Sequence, residues 1–343
     1  MKRYKFIYLL FFVFLTAALP VFAFTSPGPK AMGMGGAFTA VADDLSCVFW
    51  NPAGLPQTGY FDVDLSIAAG GENIESLEAL SDIYKALEEK DYQAAKDTAM
   101  KIKAPFGFAP AFNLGIGLFK RIALSAVFQG DFDVKTLKED VDSRGEYVEI
   151  EDTETALASG YLSFAYRSSR SLTLGMNVKY LRGWRHISHF KIYVDGETQD
   201  IEEGQEGFSD PVFSFDLGAI YQGKESPFTW GLMIENVTQP KLNFPELSGK
   251  HRSITLFRKI NLGLSYKPLG FLTLAADIHN LTDNPTFHFG GELSLKLLKI
   301  RAGLSDGNLA CGIGLNILLF NLEVSYYEKG ENNPQLAFVL IRV

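Results

Sequence analysis

Cysteine is scarce: Cys47 and Cys311 are the two in a chain of 343 residues. A disulfide framework is thereby excluded, and one bridge at most is open to the chain. Positive charge is also in deficit. Lys and Arg together number 32 against 40 Asp and Glu, a net charge of −8, which argues against nucleic acid as a partner. After residue 23 no run of 18 apolar residues occurs, so no membrane-spanning helix is expected. No ATP-binding loop is present. Gly33-Met34-Gly35-Gly36 falls short of a dinucleotide fingerprint, because Phe38 stands where the third glycine belongs and no βαβ unit surrounds it.

What is present is apolar, and it opens with an export signal. Lys2, Arg3 and Lys5 precede the apolar run Phe6 to Leu19, and Ala23 closes a small-residue cleavage site. This pattern predicts a signal peptide over 1–23. Hydrophobic residues still make up 47% of the chain, with 32 Gly, 28 Phe and 14 Tyr. An exported, apolar chain without membrane helices has one physical solution in a membrane, a closed β-barrel.

The chain alternates with period two from residue 60 onward. Phe112, Leu114, Ile116 and Leu118 share one face, with Ala111, Asn113, Gly115 and Gly117 opposite. Leu172, Leu174, Met176 and Val178 oppose Thr173, Gly175 and Asn177 in the same way. Counting such segments gives about fourteen strands. Tight connections near 120, 168, 225, 269 and 298 alternate with long regions at 71–104, 132–154, 185–210 and 238–255. Short turns belong at the periplasmic rim and long loops outside. Residues 73–103 carry helical spacing at Ile74, Leu77, Leu80, Tyr84 and Leu87. Asp91 can cap a second helix running to Met100, so a small helical hairpin is expected in the first outer loop.

Between the signal and the first strand stands AMGMGGAFTAVADDLSCVFWNPAGL, Ala31 to Leu55. A hydrophobic, glycine-rich tract would not remain a solvated tail. It is expected to pack in the lumen as a plug, where glycine permits close approach to the wall. Asn51-Pro52 would set an extended residue before a turn into strand one. With Cys47 in that plug and Cys311 facing lipid, no bridge would form.

This segment resembles the N-terminal signature of FadL-type outer-membrane transporters and the related PorV-like barrels. The matching residues are Gly33, Gly35, Gly36, Ala37, Ala40, Ala42, Asp43, Asp44, Trp50, Asn51, Pro52, Ala53 and Leu55. The resemblance implies a monomeric barrel with a lumenal hatch. FadL-type members pass long-chain fatty acids or other hydrophobic molecules inward, past the hatch and out through a lateral gap. PorV-like members serve protein secretion or surface attachment instead. The chain departs from the well-studied transporters in being shorter, in its early helical insertion and in ending at Val343.

The sequence therefore leads to an all-β fold: a transmembrane antiparallel β-barrel of about 14 strands with an N-terminal lumenal hatch. The expected organisation is a signal peptide (1–23), a hatch (24–58) and an outer-membrane barrel (59–343). The expected hatch residues are Gly33, Gly35, Gly36, Asp43, Asp44, Trp50, Asn51 and Pro52. A carboxylate headgroup would need a cation in an apolar channel. By alternation Lys179, Lys259, Lys296 and Arg301 point inward as candidates, along with Asp216, Glu235, Asp277, Glu292 and Glu323. Trp184 and Phe213 fit an interfacial aromatic girdle. No cofactor or metal is expected. His186 and His189 have no clear third ligand. Asp277, His279 and His288 read as a charge network rather than a catalytic triad. The expected partners are membrane lipid and a hydrophobic small molecule.

Overall fold

The computed structural model describes residues 28–72, 82–83, 85–86, 89, 91–100, 106–143, 145–193, 198–247, 250–318, 320–328 and 334–342. The expected signal peptide and most of the first helix of the predicted hairpin lie outside these residues.

Seventeen strands are described. The first six are β1 (Phe61–Glu72), β2 (Phe106–Leu118), β3 (Ile122–Asp142), β4 (Gly145–Arg167), β5 (Leu172–Tyr193) and β6 (Thr198–Phe208). Next come β7 (Val212–Gln222), β8 (Phe228–Glu235), β9 (Lys241–Leu247), β10 (Lys250–Thr255), β11 (Lys259–Leu269) and β12 (Leu272–His279). The last are β13 (Thr286–Ser294), β14 (Leu298–Ser305), β15 (Asn308–Ile317), β16 (Phe320–Glu328) and β17 (Pro334–Arg342). β17 pairs antiparallel with β1, and β4 with β5, so the sheet closes on itself. Fourteen strands form the ring. β6 pairs with the far end of β5, and β9 and β10 make a separate hairpin. Closure leaves no open edge, which hydrocarbon could not satisfy.

The alternation expected from sequence is reproduced, and its polarity is inverted relative to a water-soluble protein. Outward positions are large, apolar and uncovered, as at Leu124 (58% exposed), Phe128 (49%) and Phe289 (52%). Inward positions are small or polar and buried, among them Ser163 and Asn177 (both 0%). Water would penalise that outer surface at roughly 25 cal/mol for each Å² exposed. Lipid removes the penalty.

Two regions expected as long loops are strands. β3 and β4 continue as a paired ladder to a turn near Asp142 and Gly145, and β5 continues to Tyr193 beside them. Their carboxylates disguised the pattern. Glu149 faces Lys191 and Tyr147 faces Tyr193 across the ladder, so charges sit in cross-strand pairs and aromatics supply the β-preference. The region 238–255 is likewise mostly the β9–β10 hairpin. Leu242 and Phe244 of that hairpin pack on Leu181, Leu157 and Val212 at the mouth of the ring. In the first long connection, a helix spans Tyr92–Ala99, with Asp91 accepting the Ala94 N–H as its cap.

If the outer face meets hydrocarbon, a cation there is costly. Ile313, near the middle of β15, is 50% exposed. Ile313→Arg is expected to destabilise the barrel by about 2–4 kcal/mol, read as a shifted urea midpoint in lipid vesicles followed by gel mobility of the folded form.

Candidate functional site

The bore holds the chain's own N-terminal segment, residues 28–58. It comprises a short helix (Pro29–Gly33), a second short helix (Cys47–Trp50) and a 3₁₀ turn (Pro52–Gln57). Between the first two, Gly35 and Gly36 take positive φ (64° and 81°), which glycine adopts without strain. Ala37, Phe38, Val41, Leu45, Cys47, Val48 and Leu55 form the segment's apolar core, with Ala123, Ala165, Ile220 and Ala275 of the wall in the same cluster.

The segment reaches the wall because inward positions of several strands carry glycine. A Cβ on Gly231 would overlap the Thr39 carbonyl, and one on Gly218 would overlap the Asn51 side chain and Pro52. Similar overlaps arise at Gly175, Gly290 and Gly303. Backbone therefore lies on backbone around much of the ring.

Polar anchors fix that contact. The Asn51 side chain is fully buried. Its amide donates to the carbonyls of Thr39 (2.8 Å), Ala219 (3.1 Å) and Leu232 (3.3 Å), while its oxygen accepts from the Ala53 N–H (3.1 Å). One residue thus ties two parts of the segment to β7 and β8. Its extended backbone (φ −170°, ψ 101°) precedes Pro52 at the start of the turn. The Asp277 carboxylate accepts from the Phe38 (2.9 Å) and Thr39 (2.7 Å) N–H groups. Asn177 donates to the Val48 carbonyl at 2.7 Å. Trp50 packs edge-on against Phe38 and lies 5.9 Å from the His279 ring.

A buried ionic chain holds the beginning of the segment. Lys30 contacts Asp43 (2.9 Å) and Glu292 (3.0 Å). Arg301 bridges Glu292 (2.6 Å) and Glu323 (3.0 Å). Burial works against the charge on Lys30, but Asp43 and Glu292 outweigh it and hold the ammonium above its ordinary pKa. Asp44 accepts from the Ser46 N–H and hydroxyl. Burial, aided by Asp44 and Asp62, pushes the Cys47 thiol well up, so it is a packing group rather than a nucleophile. Cys311 is exposed on the outer face, and both cysteines are free.

The four candidate cations divide into two pairs. Lys179 and Arg301 are buried and matched: Lys179 pairs with Asp216 at 2.6 Å and reaches Asn236, and Arg301 has its two glutamates. Lys259 and Lys296 are exposed. Lys259 begins β11 at the rim, and Lys296 lies in the turn after β13, which ends at Ser294 rather than at 297. Trp184 stacks on His186, and Phe213 is 62% exposed against Tyr180.

The sequence reading missed Lys30 and did not foresee that Asn177 and His288 hold the segment. It also passed over Gly303-Leu304-Ser305-Asp306-Gly307, which spells a nucleophile-elbow pattern. Here the pattern forms a β-turn, not a strand-to-helix turn. Ser305 lies 3.1 Å from His288 Nδ1, but that nitrogen is also 2.8 Å from the Gly35 carbonyl. A carbonyl only accepts, so Nδ1 carries the proton and is no base for Ser305. Among the described residues no group of three or more His, Cys, Asp or Glu is arranged to hold a metal.

No protein-family model matches the chain, and no curated protein sequence matches it. Its fold is nevertheless shared with solved structures. A Pseudomonas aeruginosa FadL homologue superposes with TM-score 0.52 at 12% identity, over 94% of this chain and 99% of that one. The Pseudomonas putida toluene transporter TodX gives the same values. The CymD monoaromatic hydrocarbon channel gives 0.52 at 12%, over 92% of this chain and 96% of that one. The chain has the fold of FadL-type outer-membrane channels.

Removing the Asn51 side-chain amide takes a donor from the buried Thr39 carbonyl and the acceptor from the Ala53 N–H, a loss of about 1–3 kcal/mol. Asn51→Ala is expected to speed hydrogen exchange at Ala53 by roughly tenfold or more while the exchange of β1 and β15 amides stays unchanged. Gly231→Val is expected to unseat the segment outright, seen as trypsin cleavage at Lys30 in a barrel that still migrates as folded.

Proposed function

We propose that the protein is an outer-membrane channel for passive uptake of hydrophobic small molecules, with long-chain fatty acids or compounds of similar character as its cargo. The observation that carries this reading is the bore itself, filled by an apolar segment of the same chain, with the inward charges paired and buried around it. Such a bore is unsuited to a nonspecific aqueous pore. Segment 28–58 acts as the hatch, with Asn51 and Pro52 at its hinge to the wall, and the cargo leaves laterally into the membrane. Passage needs no nucleotide, because a ligand that binds the shifted hatch better than the seated one supplies the bias.

The structures it resembles include proteins described as a toluene transporter and as monoaromatic hydrocarbon channels. That widens the candidate cargo to small aromatic hydrocarbons. The buried cations are already paired, so a carboxylate headgroup would have to displace Asp216 from Lys179 or use the exposed Lys259 at the rim. The protein works as a monomer.

The test is a titration of the detergent-purified protein with a fluorescent long-chain fatty acid, using oleate and toluene as separate competitors. Saturable binding displaced by either competitor is expected, with uptake into vesicles altered by Asn51→Ala and by Pro52→Ala. Absence of binding to all three probes, with a protein partner co-purifying through the outer loops, would contradict the channel reading and favour a PorV-like secretion or attachment role.

A further inference from the structure

The outer surface of the ring is not uniformly filled. Across β7, β8, β11, β12 and β13 a groove of about 490 Å³ opens toward the membrane. Its sides are Tyr221, Trp230, Phe287 and Phe289, each about half exposed (51%, 57%, 50% and 52%). The register sets Tyr221, Trp230, Leu264, Ala276 and Phe289 side by side on successive strands. Ala276 thus makes a gap in a row of large side chains. Ala219 makes another one row away, and the backbones of Gly231 and Gly263 form the floor. The charged residue in the lining, Asp277, turns its carboxylate into the bore, where Phe38 and Thr39 hold it.

The floor has a second side. Ala219 and Leu232, both in the lining, offer their carbonyls to Asn51. Gly231 lies against Thr39, and Gly263 against Thr39 and Ala40. The groove is therefore the back of the seat on which the inner segment rests, one sheet thick. Its size falls within the roughly 300–1,000 Å³ range of small-molecule sites. It offers no exposed charge and faces the apolar belt, where the only abundant material is lipid hydrocarbon.

We propose that this groove is a binding site for one acyl chain of a membrane lipid, packed behind the seat of the inner segment. The chain fills the gaps at Ala219 and Ala276 and stacks along Trp230 and Phe289. By keeping the floor backed, it favours the seated segment. This goes beyond the uptake reading and does not depend on which cargo is carried.

The experiment is native mass spectrometry of the full protein after exchange from phosphatidylethanolamine–phosphatidylglycerol vesicles into detergent. One phospholipid is expected to survive activation that strips the others. Ala219→Phe with Ala276→Phe should cut the retained fraction at least tenfold, while Val324→Phe, on the outer face of β16, leaves it unchanged. Each alanine is also replaced singly, and folding is checked by gel mobility. As a second readout, in a Trp184→Phe background, which keeps Trp230 on the outer face and Trp50 inside the bore against Phe38, brominated acyl chains should quench the membrane-facing Trp230 component of the emission at lower mole fraction than annular exchange predicts, and Ala276→Phe should abolish that excess. Equal retention in wild-type and filled proteins overturns the proposal. So does retention of a free fatty acid or aromatic compound in place of a phospholipid, which would assign the groove to cargo.

Discussion

Contact between the backbone of the inner segment and the inner wall of the ring is the constraint on which the rest of the molecule depends. A barrel of fourteen strands encloses more space than small inward side chains can fill. Here the chain fills it with 28–58, and that is possible only where strands present no Cβ. Gly175 admits Ala53, Gly218 admits Asn51 and Pro52, Gly231 admits Thr39, and Gly303 admits Met34 and Gly35. A methyl group at any of these positions would push the segment off its seat. The small inward face, which at first looks like ordinary barrel alternation, is thus shaped to one occupant.

Close approach brings polar backbone away from water, and each such group then needs a partner. The inward Asn, Asp and His residues supply them. Asn51 joins carbonyls from three places, Asp277 takes two successive N–H groups, and His288 takes the Gly35 carbonyl. The Lys30–Glu292–Arg301–Glu323 chain adds charge pairing. Buried ion pairs contribute little net stability, but breaking one by removing a partner is expensive. The arrangement therefore selects one seating over many, and a shift of the segment must exchange these partners together.

Much of this was legible beforehand because the physics is periodic. Inversion of large-out and small-in residues at Phe112–Leu118 and Leu172–Tyr180 is a local pattern, so the ring strands and their number could be counted. Where charge interrupted the pattern, as at Glu146 to Glu154, the ladder was mistaken for loop, since cross-strand pairing to Lys191 and Tyr193 is not local information. The same limit explains Lys30 and Lys296. The first lies outside any motif and earns its role from Glu292, 262 residues away. The second keeps the inward parity of β13, but the strand ends two residues earlier. Asn51 was legible as a turn former, yet its reach to Ala219 and Leu232 is a fact of three dimensions.

The central claim is that hydrophobic cargo passes only when the inner segment shifts. Leu45 Cγ, where the sulfur of a cysteine at that position would stand, lies 3.6 Å from the place of a Cβ on Gly115, against about 3 Å for the same separation across a disulfide. In a background of Cys47→Ser and Cys311→Ser, the pair Leu45→Cys and Gly115→Cys would tether the segment to β2. Fatty-acid or toluene uptake is then measured in vesicles before and after reduction, with the bridge confirmed by gel mobility. The account predicts uptake that is lost when the bridge is closed and restored when it is reduced. Equal uptake in the bridged and reduced protein would contradict it.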